Sequence, residues 1–327
     1  MIATESLSIE AIRRELRTTT VGRHLYLFGS VESTNKVLRS LARSGVAEGT
    51  VILAEGQSQG RGRLGQPWFS PTGVNLYMSA LFRNSLKPRE IPVFSFVSSL
   101  ALADAVKDLG LTPAIKWPND VLVGGKKVAG SLMDCATRGE AVDFIVLGVG
   151  VNVNVDLDTL HAALGQSGRA ATSLAAVVGR EVDRNALAAD YLSHLDVWVR
   201  RYRAEGAASI LAAWRQRDIL TGRRVEIRGG GSAFDGRVLG VEDDGQLVVQ
   251  DSKGARHAIL TEEIRVLVQH SHLRDSVILH GSMPQQALFE LLPQCDLYLS
   301  ASSYESYSMA TAEAVAHGRQ ILRPSLP

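Results

Sequence analysis

The spacing of apolar residues predicts four helical regions. From Val93 to Leu100, apolar side chains recur at i, i+3, i+4 and i+7, which is the pattern of one buried helix face. Other segments have similar apolar spacing, with Ser or Thr where a helix would begin and Gly where it would end, so they are also predicted to be helical. The predicted helices cover residues 8–17, 33–45, 91–109 and 184–217, the last with a break at Gly206.

Short apolar and β-branched runs between these helices predict strands. "TVILAE", "NLYMSALF" and "DFIVLGVGVNVNV" are three of them. "AIKWPNDVLVGGKKVAGSLMD" contains three more, separated by a Pro-Asn-Asp turn and a Gly-Gly turn. Because most neighbouring strands are joined by turns rather than by helices, we expect an α+β fold with a mixed, mainly antiparallel sheet and helices packed against it.

The pattern changes twice in the last third of the chain. Residues 219–268 contain short β-branched runs separated by Gly and Asp turns, which predicts a small β-barrel of about five strands. Residues 269–327 alternate strand-like and helical segments, as a parallel α/β unit does. We therefore expect three domains, at residues 1–218, 219–268 and 269–327.

Composition and charge argue against several classes of protein. Hydrophobic residues make up 45% of the 327 residues and charged residues 21%, as in ordinary globular proteins. The formal net charge of +1 provides no strong field for nucleic acid or a membrane surface. The chain lacks an apolar run of transmembrane length and a signal-peptide core, and its two cysteines, Cys135 and Cys295, have no metal-ligand spacing. We expect a cytoplasmic protein with reduced thiols.

The segment "GRGRLG" at residues 60–65 spells G-x-G-x-x-G, the dinucleotide-binding fingerprint. That fingerprint requires a helix directly after the glycines and an acidic residue about 20 positions on. Here two prolines follow within six residues of the last glycine, and residues 80–88 contain no acid. Arg61 and Arg63 instead favour an anionic ligand, because guanidinium and backbone N–H groups both bind phosphate. A solvated, mobile loop is the alternative interpretation.

Four segments with this loop among them carry chemically useful residues. They are "ESTN" at 32–35, "QSQGRGRLGQPW" at 57–68, "KWPND" at 116–120 and "GVGVNVN" at 148–154. In this order and spacing, together with "KKVAG", they resemble the biotin protein ligase family, and the resemblance extends over residues 8–268. It implies a catalytic domain like that of class II synthetases, followed by a small SH3-like β-barrel.

The resemblance implies a reaction in two steps. The carboxylate of biotin attacks the α-phosphorus of MgATP and gives biotinyl-5′-adenylate and pyrophosphate; the amine of a carrier-protein lysine then attacks the acyl carbon and releases AMP. Because two anions meet in the first step, positive charge must be fixed near the α-phosphate. By resemblance, Lys116 is the central cation, Arg61 and Arg63 hold the loop closed with Arg63 nearest the phosphate, and Asp120 assists the metal or the incoming lysine.

The same resemblance assigns the other site residues. The biotin-binding set, in which hydroxyl and amide groups contact the polar ureido ring and glycines contact the apolar part, is Ser33, Thr34, Asn35, Gln57, Gly60, Arg61, Lys116, Gly130, Gly148 and Gly150. The set that binds ATP or the adenylate, with Trp68 near the adenine and Lys127 near the phosphates, is Arg61, Arg63, Trp68, Lys116, Asn119, Lys127 and Asn152. ATP and Mg²⁺ are the expected cofactors, and the sequence assigns no metal ligands.

Several of these residues also have structural interpretations that the sequence leaves open. Ser33 or Thr34 is typical of a helix N-cap. Asp120 is typical of a turn, Trp117 of a core position, and Asn152 of a residue that satisfies backbone groups. In the loop, Leu64 replaces the third arginine of the commoner "GRGRRG", so one positive charge is lost.

The resemblance also implies partners. The expected partner is the biotin carboxyl carrier domain of a biotin-dependent carboxylase, and a homodimer is left open. Only about 20 residues precede the first strand, too few for the helix-turn-helix domain of the family's repressors, so we expect no nucleic-acid partner and no membrane.

Two other functions compete with the ligase interpretation, and the end of the chain raises a third. A lipoate or octanoate ligase would share the catalytic fold, and a non-catalytic biotin sensor would share the binding site. Residues 269–327 resemble a fragment of a group 1 GT-B glycosyltransferase, through Glu305, Glu313 and "AEAVAHG". Because only about 55 residues of that fold are present, we expect no activity from this segment.

Overall fold

A seven-stranded mixed sheet forms the framework of the first half of the chain. The computed structural model describes residues 5–83, 90–138, 141–229, 232–259, 263–265, 297–299 and 320–322. The strands are β1 (His24–Phe28), β2 (Thr50–Ala54), β3 (Leu76–Phe82), β4 (Pro113–Lys116), β5 (Asp120–Val123), β6 (Lys126–Arg138) and β7 (Ala141–Val151). Their order is β1-β2-β3-β7-β6-β5-β4; β1 and β2 are parallel and the other neighbours are antiparallel. The predicted hairpins and the mainly antiparallel sheet are confirmed.

Seven α-helices accompany this sheet in the described part of the chain. They are α1 (Ile9–Glu15), α2 (Thr34–Arg43), α3 (Ile91–Asp108), α4 (Leu157–Leu164), α5 (Leu174–Val178), α6 (Arg184–Glu205) and α7 (Ala207–Arg215). The four predicted helical regions are confirmed, including the break at Gly206, which has a φ of 77° that favours glycine. Strand β1 begins at His24, where the family resemblance places the first strand, although the apolar pattern did not predict it; helices α4 and α5 were not among the predicted elements.

Helices cover both faces of the sheet. On one face, Leu38 and Ala42 of α2 pack in a buried cluster with Ile52, Leu81 and Phe144. On the other face, the ring of Phe82 meets that of Phe94 in α3, with centroids 5.6 Å apart. Adjacent residues of β3 therefore point to opposite faces, as strand geometry requires. The face that carries α2 also carries the candidate site.

Two buried charged residues of α6 hold N-terminal segments of the chain in place. Arg184 Nη1 lies 2.6 Å from Glu55 Oε2, and Arg184 Nη2 donates to the carbonyl of Glu5. The Asp196 carboxylate, whose side chain is 1% exposed, accepts hydrogen bonds from the backbone N–H groups of residues 19–21. Burial raises the pKa of Asp196, but these N–H donors outweigh burial and hold the pKa below its usual value. The carboxylate is therefore stabilised in its charged form.

Five short strands follow α7, as the predicted barrel requires. They are β8 (Arg224–Gly229), β9 (Ser232–Val241), β10 (Leu247–Asp251), β11 (Arg256–Ile259) and β12 (Glu263–Arg265). Antiparallel pairings join β9 to β10, β10 to β11, and β8 to β12. The pairings among the described residues do not close a barrel, so five strands are confirmed and a closed barrel is not.

The chain divides into two compact units. The first contains residues 1–224 and 236–260, and the second contains residues 225–235 and 261–327. The second includes β13 (Leu297–Leu299) and β14 (Gln320–Leu322), which pair in parallel, as expected of an α/β segment. Glu305 and Glu313 lie outside the described residues, and the three-domain division stays a prediction.

Membrane-spanning segments were also searched for. Among the described helices, none combines the length and apolar character needed to cross a bilayer.

Candidate active site

Four of the predicted site residues form one row across the sheet. Lys116 lies opposite Asp120, Asp120 opposite Gly130, and Gly130 opposite Gly150. Residues directly opposite in antiparallel strands share a face, and strands lie about 4.8 Å apart, so the row spans roughly 14 Å. We call it the cross-strand row. Its two glycines form the end opposite Lys116, so at that end no side chain of the row projects from the strands.

A buried polar cluster lies beside this row, over Gly148. Ser79 Oγ is 2.7 Å from Thr34 Oγ1 and 2.6 Å from Asn35 Oδ1. The amide nitrogen of Asn35 donates to the carbonyl of Leu132 at 3.2 Å and to Asp134 Oδ2 at 3.0 Å. A Cβ on Gly148 would overlap Asn35 Oδ1 and lie 2.8 Å from its Cγ. Glycine is therefore required at this position for the cluster to form.

Gln57 connects the polar cluster to the start of α2. Its Oε1 accepts from the backbone N–H of Thr34 at 2.9 Å and lies 3.3 Å from Thr34 Oγ1. Ser33 occupies the N-cap position, but its side chain makes no capping hydrogen bond. The interpretation of Ser33 or Thr34 as side-chain cap is therefore wrong: a glutamine from another segment satisfies the helix terminus, and the buried Ser33 hydroxyl is not used in capping.

The glycine-arginine loop closes on itself at the edge of this site. The N–H of Trp68 donates to the carbonyl of Gly60 at 2.9 Å, and the N–H of Gly62 donates to that of Gln66 at 2.7 Å. Between them, residues 63–65 form a single 3₁₀ turn, in which Leu64 has a φ of 54° and is 59% exposed. No α-helix starts here, so the dinucleotide-fingerprint interpretation is excluded, as the sequence predicted.

The two loop arginines occupy different environments. Arg61 is exposed and pairs with Pro67 through an isolated β-bridge. The guanidinium of Arg63 is half-buried and lies 5.6 Å from the ring centroid of Trp117, within the range of a cation–π contact. Burial lowers the pKa of Arg63, and the carboxylate of Asp120 opposes this shift. Arg63 is thus the arginine that faces the cross-strand row.

Trp68 lies directly on the cross-strand row. A Cβ on Gly150 would overlap its indole nitrogen and approach its Cζ2 to 2.9 Å. Lys127 Nζ is 5.1 Å from the Trp68 ring centroid and 2.6 Å from Asp120 Oδ1. The indole nitrogen of Trp68 is buried and has no hydrogen-bond partner among the described residues. A buried donor without an acceptor is costly, so this N–H is available to a ligand oxygen.

The loop, the polar cluster and the row together bring most predicted residues to one face. Comparison with known proteins identifies a family whose model covers most of these residues. Residues 27–152 match the model of the Biotin/lipoate A/B protein ligase family. The chain is 32% identical over 246 residues to the biotin–[acetyl-CoA-carboxylase] ligase of Paracoccus denitrificans, an alignment that covers 73% of this chain and 98% of that protein.

The chain belongs to the biotin/lipoate protein ligase family.

Other relatives agree with this assignment. The bifunctional ligase/repressor BirA of Bacillus subtilis is 30% identical over 251 residues, which cover 76% of each chain. Among solved structures, a biotin protein ligase from Aquifex aeolicus in complex with biotin and ATP superposes with a TM-score of 0.62 at 25% identity, covering 74% of this chain and 99% of that one. The expected catalytic fold is therefore confirmed.

Two further residues assigned by resemblance have structural contacts that account for them. Asn119 donates through its amide to the carbonyl of Ser131, which holds the turn between β4 and β5 against β6. Asn152 is buried, and its amide donates to the carbonyl of Thr172 at 3.2 Å. These contacts favour the backbone-satisfying interpretation of Asn152 that the sequence left open.

Some residues of the site were missed from the sequence. Ser79 joins Thr34 to Asn35, and Ser70 Oγ lies 3.2 Å from Gln57 Nε2. The signal for Ser79 was its position as a lone hydroxyl in the apolar run "NLYMSALF", where a buried polar group needs partners. Ser70 offered no comparable signal.

A preformed metal site is absent from the described part of the site. Among the described residues, no group of three or more His, Cys, Asp or Glu side chains is arranged to hold a metal ion. Asp120 is a carboxylate of the row, and it is paired with Lys127. In enzymes that use ATP, magnesium usually binds through substrate phosphates, a few carboxylates and water rather than through a cage of protein ligands.

Proposed function

We propose that this protein is an ATP-dependent biotin–protein ligase. It forms biotinyl-5′-AMP from biotin and MgATP, then transfers the biotinyl group to a lysine of a carrier protein. The observation that carries the proposal is the cross-strand row, which has Lys116 at one end and two glycines at the other, next to the loop that holds Arg63. Relatives with the corresponding names support the choice of biotin.

The first step requires fixed positive charge between two anions. In our proposal Lys116 contacts both the carboxylate of biotin and the α-phosphate of ATP. The biotin carboxylate oxygen forms a bond to the α-phosphorus while the bond from that phosphorus to the pyrophosphate oxygen breaks. Arg63 and Lys127 stabilise the phosphates, because preorganised cations in a partly desolvated site act strongly on developing charge.

The polar cluster is proposed to hold the ureido ring of biotin. Ser33, Thr34 and Gln57 line the start of α2, where hydroxyl, amide and backbone groups lie together. Gly148 and Gly150 carry no side chain; Asn35 packs over Gly148, and the Trp68 ring covers Gly150, where we propose that the apolar ring and chain of biotin bind. In our proposal the Trp68 ring moves off Gly150 to admit the ligand and then covers it, with its N–H donating to a ligand oxygen.

In the second step the amine of the carrier lysine attacks the acyl carbon, the acyl–oxygen bond breaks, and AMP leaves. Asp120 is proposed to orient or deprotonate this amine, since it lies in the row beside Lys116. We propose as partner the biotin carboxyl carrier domain of a carboxylase, with cytoplasmic location. Homodimerisation remains an open part of the proposal.

The test is biotin-dependent exchange of pyrophosphate into ATP, followed by labelling of a purified carrier domain detected with avidin. Exchange with biotin and absence of exchange with lipoate is the expected result. Exchange with lipoate alone would instead support the lipoate or octanoate ligase. Biotin binding without any exchange would support the non-catalytic sensor, which has no use for a phosphate-binding loop.

A further inference from the structure

Trp117 makes two contacts that the proposed reaction does not use. Its ring lies under the guanidinium of Arg63, 5.6 Å from ring centroid to guanidinium carbon. Its indole N–H donates to the carbonyl of Gly245 at 3.0 Å, across 128 positions of sequence. Trp117 is 3% exposed, so the indole side of both contacts is buried. One side chain therefore touches both the phosphate-binding loop and the turn between β9 and β10.

The turn that receives this hydrogen bond is itself held in place. Gly245 has a φ of 87°, and a Cβ at this position would come within 3.0 Å of Pro92 at the start of α3. Arg215 of α7 donates to the carbonyl of Val241 at 2.6 Å and pairs with Asp243 at 3.0 Å. The turn is thus anchored on two helices, and its carbonyl offers Trp117 a fixed acceptor.

We propose that Trp117 is a positioning residue that transmits the placement of the β9–β10 turn to Arg63 and so stabilises the closed phosphate-binding loop. The inference rests on the proposed function, which gives Arg63 a phosphate to hold. Its physical basis is that an indole fixed at its N–H presents one ring face in one orientation, and a cation–π contact depends on that orientation. A ring without the N–H keeps the apolar volume but loses this fixed orientation.

Loop opening can be measured without activity. Trypsin cleaves after Arg61 or Arg63 when the loop opens, and mass spectrometry of the new termini gives the rate at these sites. Trp117→Phe keeps a ring and removes the N–H, so we expect loop cleavage about fivefold faster, the size of losing one net hydrogen bond. Trp198→Phe is the matched control: Trp198 also donates its N–H, to Asp104 at 2.7 Å, and also lies near arginine guanidinium groups.

Activity supplies the second measurement. Trp117→Phe should raise the KM for ATP about fivefold, with little change in kcat, and this effect should disappear in an Arg63→Ala background. If Trp117 had a purely structural role, Trp117→Phe would raise the KM for ATP by the same factor with or without Arg63. If Trp117→Phe does not unfold cooperatively, Arg215→Gln loosens the turn without touching the indole and should accelerate loop cleavage in the same way.

Three outcomes overturn the inference. They are wild-type cleavage rates in Trp117→Phe (or in Arg215→Gln where that variant replaces it), equal acceleration in Trp198→Phe, and an effect on KM that persists without Arg63. Absence of biotin-dependent exchange in the wild-type protein would overturn the proposed function. The cleavage rates would still decide whether Trp117 holds the loop, so the two failures are distinguishable.

Discussion

Gly148 is a position in the candidate site where a single added methyl group should be strongly destabilising. Alanine there would place Cβ on Asn35 Oδ1 and 2.8 Å from Asn35 Cγ, so the buried amide must move. Asn35 is held by contacts to Ser79, Leu132 and Asp134. Overpacking costs about 1–3 kcal/mol, and the net loss of one of these hydrogen bonds adds about 1 kcal/mol. We therefore expect Gly148→Ala to lower the free energy of unfolding by about 2–4 kcal/mol, measured by urea denaturation, and to raise the KM for biotin.

A control variant tests whether the loss comes from the overlap with Asn35 or from any replacement of a glycine by alanine in these strands. Gly130→Ala, in the next strand, meets only the flexible Lys127 side chain at 3.2 Å and Asp120 Oδ1 at 3.3 Å, so it should cost under about 1 kcal/mol. In an Asn35→Ala background the obstacle is gone, and Gly148→Ala should also become nearly neutral. An undiminished loss in that background would refute the reasoning.

Three other substitutions test separate parts of the site and fold. Lys116→Ala should reduce biotin-dependent exchange about 10²–10³-fold without changing the melting temperature. The control Lys126→Ala, at an exposed lysine, should leave exchange unchanged, and near wild-type exchange in Lys116→Ala would show that Lys116 is not the central cation. Arg63→Gly should release biotinyl-AMP and label bystander proteins; Leu64→Gly, which suits a φ of 54°, should not, and a selective Arg63→Gly enzyme would contradict the lid role. Asp196→Asn should lower the free energy of unfolding by about 2 kcal/mol at pH 7. Because a lowered carboxylate pKa stabilises the fold only above the pKa of the unfolded chain, the difference from wild type in urea unfolding should shrink as pH falls through the depressed pKa of Asp196; a difference that does not change with pH would argue against a role for the carboxylate charge.

Local patterns were sufficient for most elements of the fold. The long helices α3 and α6 and the hairpin strands β4 to β6 have strong periodicity or turn residues between them, so their existence followed from neighbouring positions. Strand β1 did not, because its burial alternates weakly and Tyr26 and Phe28 are exposed. The pairing of β3 with β7 joins residues about 70 positions apart, and no local pattern specifies such a partner.

The candidate site divides in a similar way. Motif residues such as Lys116 and Arg63 were assigned by resemblance, while their placement on one face required the sheet register. The capping of α2 by Gln57 was missed because the donor and acceptor are 23 positions apart and Ser33 already satisfied the local rule for a cap. Trp117 looked like a core residue, and it is buried, but burial does not reveal that its two ends contact two different segments.

The site consists of a rigid part and a movable part, and this division matches the two chemical steps. The cross-strand row and the polar cluster are built on adjacent strands and buried hydrogen bonds, so they hold their geometry without a ligand. The loop at residues 60–68 closes mainly through its own backbone hydrogen bonds. It meets the rigid part through the Arg63 contact with Trp117 and through Trp68, which contacts Gly150 and Lys127. Bringing two anions together requires the rigid part, because fixed charges lose no energy in reorganising during reaction. Admitting ATP, retaining a reactive anhydride and then exposing it to a carrier lysine require a segment that opens at little cost, which a loop held to the strands by the side chains of Arg63 and Trp68 can do.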